Sequence, residues 1–148
     1  MAAQPTDAGW ASTEVQVTPI AADLAEASEV ERLATESLAA LDGLDILVNN
    51  AGISIPESIG SVTARSWDAV MAVNVRAPAL LSARIGAAMS AAARGGSIIN
   101  IASAAATPAL AEHYSYCTSK AALLMIPKML AIEFGPAGVR SNVVCPTA

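Results

Sequence analysis

Aromatic residues are scarce, with two Trp, two Tyr and one Phe in 148 residues. Few side chains are therefore available to stack on the bases of a single strand. Basic residues are also few: eight Lys and Arg stand against thirteen Asp and Glu, for a net charge of −5 and no basic cluster. That balance argues against nucleic acid and against an anionic membrane surface as partners. The two cysteines, Cys117 and Cys145, lie far apart and form no Cys-x-x-Cys pair, and there is one histidine. Neither a disulfide framework nor a metal site is expected, and two reduced thiols fit a cytoplasmic protein. Long apolar runs are wanting too. The charge-free helical stretch 85–93 falls far short of the ~20 residues that a membrane helix needs. Residues 1–13 have no basic region followed by an apolar core, so they are expected to form a polar tail rather than a secretory signal.

What the chain does have is apolar bulk. Hydrophobic residues make up 54%, many of them alanine, while charged residues are only 14%. This composition points to tightly packed helices in one domain, here bounded as 14–148. Residues 15–21 form a short β-branched run, expected to be a strand that turns at Ala22-Asp23. Residues 26–41 place Val30, Leu33, Leu38 and Leu41 on one side of an amphipathic helix, which Gly43 ends. Asp45-Ile46-Leu47-Val48 reads as a buried strand that runs into Asn49-Asn50-Ala51-Gly52. A helical region over 63–93 is interrupted at Asn74, with Pro78 suited to the first turn of a renewed helix. A strand over 97–102, a helix over 114–134 and a strand over 139–145 complete the order. Strands alternating with long helices imply an α/β fold with a doubly wound parallel sheet.

Tyr116 and Lys120 are four apart in a helical stretch and share one face. A phenol ordinarily ionises near pH 10, and a neighbouring ammonium favours the phenolate, so the pair suits proton exchange with a carbonyl or alcohol. A tyrosine packed over a lysine stem gives the same spacing. Ser103 follows a strand end, where parallel sheets present ligands; its hydroxyl either donates to a substrate oxygen or caps a turn. Asn74 either caps a helix or, through its side chain or a freed carbonyl, holds a water. Tyr114 has Thr118 rather than a cation four residues on, so Tyr116 is preferred. His113 is expected to make a local loop contact. Pro127 in mid-helix removes a backbone hydrogen bond and should kink the helix.

Taken in order, these segments resemble the short-chain dehydrogenase/reductase family. Asn49-Asn50-Ala51-Gly52 is similar to its signature turn, and Val73-Asn74-Val75 to its helix-breaking asparagine. Ser103 stands thirteen residues before Tyr116, and Tyr116-Cys117-Thr118-Ser119-Lys120 resembles the catalytic helix. Asn142-Val143-Val144-Cys145-Pro146 resembles the strand beneath a nicotinamide. The resemblance implies a Rossmann-like sheet and an enzyme that uses NAD or NADP, the preference unreadable, on a small carbonyl or secondary alcohol. The flavour is nearest to carbonyl and sugar reductases of the L-xylulose reductase group. Tyr116 would move the proton, Lys120 would assist it and bind the nicotinamide ribose, Ser103 would orient the substrate, and Asn74 would hold a water. Asp23, Asn50, Ala51, Gly52, Tyr116, Lys120, Pro146 and Thr147 would contact the cofactor, and the family's habits imply a homo-oligomer.

The pattern is incomplete. Gly9 is the only glycine in 1–14, so the family's glycine-rich phosphate turn is missing, and its first two strands and last strand are expected to be missing with it. The strand over 15–21 is then expected either to pair directly with the Asp45 strand or to pair with a second chain, since apolar strand edges invite pairing. A non-catalytic truncated fragment, acting only in association or as a gene remnant, is the alternative to an active oxidoreductase.

Overall fold

The computed structural model describes residues 17–147. The expected polar tail, and residues 15–16 of the expected first strand, lie outside the described residues. Eight main elements follow in order: α1 (Ala27–Ala40), β1 (Ile46–Asn49), α2 (Ala64–Met71), α3 (Ala77–Ala91), β2 (Gly96–Ile101), α4 (Tyr114–Ala122), α5 (Ile126–Phe134) and β3 (Val139–Val144). The strands form a parallel sheet of order β1-β2-β3, in which Val48 stands opposite Ile99, and Ile99 opposite Asn142. Parallel neighbours need a crossover, and each crossover here is helical. No described helix is long and apolar enough to cross a membrane.

Alternation along the strands divides the sheet into two unlike faces. Leu47, Ile98 and Val139 point to one face and pack with Val30 and Ala34 of α1, Leu81, Ile85 and Met89 of α3, and Leu130 of α5. Gly86 lets α3 approach α5 closely: a Cβ there would come within 2.7 Å of the Phe134 ring. On the opposite face Ile46, Val48 and Val144 are about half exposed. Parallel strands are normally covered on both sides, so the described residues supply one side of an incomplete doubly wound sheet.

Two expectations are corrected. Residues 17–23 form no strand, and the pairing of this segment with the Asp45 strand does not occur. Val17 is 78% exposed, so its β-branched side chain finds no packing surface. Side chains hold the end of this segment and the turn after it: Arg32 Nη2 donates to the Ala21 carbonyl at 2.6 Å, and the Arg76 guanidinium donates to the Ala25 carbonyl. The single helix expected over 114–134 is two helices. Residues 123–125 form a turn, and Pro127 occupies the first turn of α5, where a missing N–H costs no helical bond. Pro127 therefore starts a helix instead of kinking one.

Candidate active site

The carboxyl ends of β1, β2 and β3 converge on an open cleft of about 390 Å3. Asn50, Gly52, Ser103, Tyr116, Lys120, Pro146 and Thr147 line it together with Ile101 and Ala102. Seven of the residues singled out in the sequence thus share one cavity. Backbone bonds across the strand ends form its floor: Ala102 N–H donates to Val144 O at 2.8 Å and Ala104 N–H donates to Pro146 O at 2.9 Å. This brings Ser103 beside the segment that follows β3.

Ser103 lines the cleft and caps a turn. Its Oγ accepts from Ala105 N–H at 3.1 Å and caps the short 3-10 turn Ala104–Ala106. A hydroxyl that accepts once still has its proton to donate. Lys120 is 4% exposed, and its Nζ donates to the Ile101 carbonyl at 2.9 Å. Burial pushes its ammonium below the usual lysine range. The same Nζ stands 5.7 Å from the centre of the Tyr116 ring. Tyr114 instead packs its ring against Trp67 of α2, with centroids 5.6 Å apart. His113 makes the expected loop contact, its Nδ1 lying 2.8 Å from Ala111 O, and its ring meets Tyr116 edge-on.

Asn74 sits in a π-helical segment, Ala72–Arg76, between α2 and α3, so it does not cap a helix. It is 1% exposed, and both ends of its amide are hydrogen-bonded. Oδ1 accepts from Ile53 N–H at 2.8 Å, and Nδ2 donates to Ile53 O at 2.8 Å and to Ser119 Oγ at 3.0 Å. Ser119 Oγ in turn donates to Tyr116 O at 2.7 Å. The side chain thus clamps the turn after β1 to the α4 turn between Tyr116 and Lys120. Gly52 lies against this clamp, since a Cβ there would stand 3.3 Å from Lys120 Nζ and 3.4 Å from Asn74 Oδ1.

A second cavity, of about 220 Å3, adjoins the same turn and is lined by Leu24, Asn50, Ala51 and apolar residues of α1, β1 and α3. Ala51 is found here rather than in the larger cleft. Asp23 is exposed and lines neither cavity; its Oδ1 accepts from Ala25 N–H at 2.9 Å just before α1. Among the described residues, α1 opens on Glu26 with Glu29 in its first turn. Carboxylates there repel a phosphate rather than receive one.

Three buried polar residues around the site, Ser82, Asn100 and Glu57, have no local sequence signal. Asn49 Nδ2 donates to Ser82 Oγ at 2.9 Å and to Asn100 Oδ1 at 3.0 Å, tying the ends of β1 and β2 to α3. Glu57, in the loop after β1, is 7% exposed and accepts from Ser115 Oγ. Hydrogen bonds from Ser115 and then Ser66 hold its carboxyl below the usual range. These partners are 33 to 58 residues apart in the chain, beyond the reach of spacing arguments.

Known proteins are similar to this chain in sequence and in fold. The D-threitol dehydrogenase of Mycolicibacterium smegmatis is 39% identical over 86% of this chain and 48% of its own length. The L-xylulose reductase of Mesocricetus auratus is 37% identical over 88% of this chain and 52% of its own. The chain thus spans about half the length of the curated relatives it matches. A solved metagenomic short-chain oxidoreductase in complex with NADP superposes with a TM-score of 0.80 at 37% identity, covering 87% of this chain and 58% of that one. Residues 3–148 match the short chain dehydrogenase profile, and the chain belongs to that family.

Proposed function

We propose that the larger cleft is the hydride-transfer site of an NAD- or NADP-dependent oxidoreductase acting on a small carbonyl or secondary alcohol. What carries the reading is the meeting of Ser103, Tyr116 and Lys120 on one open cleft, with the Lys120 ammonium 5.7 Å from the Tyr116 ring centre. Ser103 donates its free proton to the substrate oxygen and orients it. Tyr116 gives its phenolic proton to that oxygen during reduction and takes it back during oxidation. Lys120 supplies the positive charge that a phenolate needs in a half-buried setting. Asn74 holds α4 at its distance from the Gly52 turn.

The lining fits the nicotinamide end of the cofactor. The Gly52 cradle would be filled by a side chain, and Tyr116, Lys120, Pro146 and Thr147 surround it. When bound, the cofactor supplies or accepts the hydride. Asn50, Ala51 and Asp23 would meet its adenosine end, with the apolar cavity beside Asn50 and Ala51 as support. The names of the relatives, a polyol dehydrogenase and a ketose reductase, favour polyhydroxylated substrates. Residues 14–148 are read as one partial Rossmann-like domain in a cytoplasmic homo-oligomer. The exposed apolar residues Met125, just before α5, and Met129 and Ile132 along it support self-association.

The half-bare sheet favours a second reading, a chain that acts only by association. One assay separates them. Purified chain with NADH or NADPH and a panel of ketoses and aldehydes should consume reduced cofactor. No consumption above the protein-free rate overturns the enzymatic reading.

A further inference from the structure

α4 carries both Tyr116 and Lys120, yet it has no cap of its own. Its N-cap residue, His113, makes no side-chain capping bond, and its first turn holds no acidic residue. An uncapped first turn leaves N–H groups without partners. Glu57 fills the place from a distant loop. Its backbone N–H donates to Glu112 O at 2.8 Å and its carbonyl accepts from Tyr114 N–H at 3.4 Å, a short parallel bridge beside His113. Its buried carboxylate accepts from Ser115 Oγ in the first turn, and Ser115 is itself fully buried. A carboxylate at a helix N-terminus is favoured by the aligned N–H dipoles, and charge-assisted bonds are the stronger kind.

We propose that Glu57 is a positioning residue, a cap supplied from the loop after β1 that sets where α4 begins and so where Tyr116 meets the cleft. The inference rests on the proposed function for its consequence in catalysis, but its structural part stands apart. The loop holding Glu57 also includes Ile53, which Asn74 clamps to Ser119. Two ties, one at each end of the Tyr116 turn, therefore join this loop to α4. Asn74 fixes the Lys120 side and Glu57 fixes the start.

The test uses the whole chain with Glu57→Gln, which keeps the shape and removes the charge, and Glu57→Ala. Amide hydrogen exchange is read over α4, with α1 as the internal reference. Glu57→Ala should speed exchange in α4 by about tenfold or more while α1 is unchanged, and Glu57→Gln should fall between parent and Glu57→Ala. If the parent turns over, Glu57→Gln should lower kcat with cofactor KM nearly unchanged. Parent-like exchange in α4 of Glu57→Ala, or equal acceleration in α1, overturns the inference. So does an active Glu57→Gln whose KM rises while kcat holds. A parent chain without turnover rejects the proposed function alone, and the exchange result still decides the role of Glu57.

Discussion

Tyr116→Phe should lower turnover by about a hundredfold to ten-thousandfold, the range that a positioned general acid or base contributes. The substitution removes one oxygen and keeps the ring. The ring's neighbours, the His113 edge and the Lys120 ammonium, remain in place, and Lys120 stays anchored on the Ile101 carbonyl. Cofactor binding and the thermal midpoint should therefore match the parent. The loss should appear equally in kcat and kcat/KM, as expected when an interaction made only in the transition state is removed. Tyr114→Phe is the control, because that ring packs on Trp67 away from the cleft. Steady-state kinetics of the two variants decide the matter. Turnover of Tyr116→Phe within about threefold of the parent would contradict the assignment.

The second large effect concerns the sheet. Ile98 is fully buried at the centre of the middle strand, and its Cδ1 would lie 3.3 Å from a Cβ on Gly86. The α1, α3 and α5 residues of the core all pack over this face. Ile98→Ala should cost about 2–5 kcal/mol, because the close approach of α3 and α5 limits collapse around the cavity. Small domains hold only about 5–15 kcal/mol in all, so the urea midpoint should fall steeply. Val48, opposite Ile99 on the bare face and 52% exposed, sets the contrast: Val48→Ala should change stability far less. Equal losses for the two variants would mean that the bare face is covered in solution.

How far the sequence was legible depends on the range of the interactions. The helix over 26–41, the Asp45 strand and the strand at 139 follow local periodicity, and each appears within one or two residues of its expected bounds. Tyr116 and Lys120 share a face because helical spacing is itself local. Ser103 reaches the same cleft because strand ends of a parallel sheet align, which the alternation of elements already implies. The strand over 15–21 failed for the converse reason. A β-branched run becomes a strand only beside a partner, and among the described residues none flanks 17–23. Asn74 was recognisable as a helix breaker, but its π-helical turn and its bonds to Ile53 and Ser119 depend on elements 21 and 45 residues away. Glu57 had no local mark at all, since its partner Ser115 lies 58 residues on.

The cleft should accept the nicotinamide end of the cofactor even though the described residues include no glycine-rich phosphate turn. Titration of the purified chain with NADH and NADPH, followed by amide NMR, tests this. The prediction is saturable binding with a Kd no weaker than about 1 mM, equivalent to roughly −4 kcal/mol. The shifts should be concentrated at Asn50, Gly52, Ala102, Ser103, Tyr116 and Lys120, which line the cleft. No saturable binding at millimolar cofactor, or shifts scattered away from these residues, would contradict it.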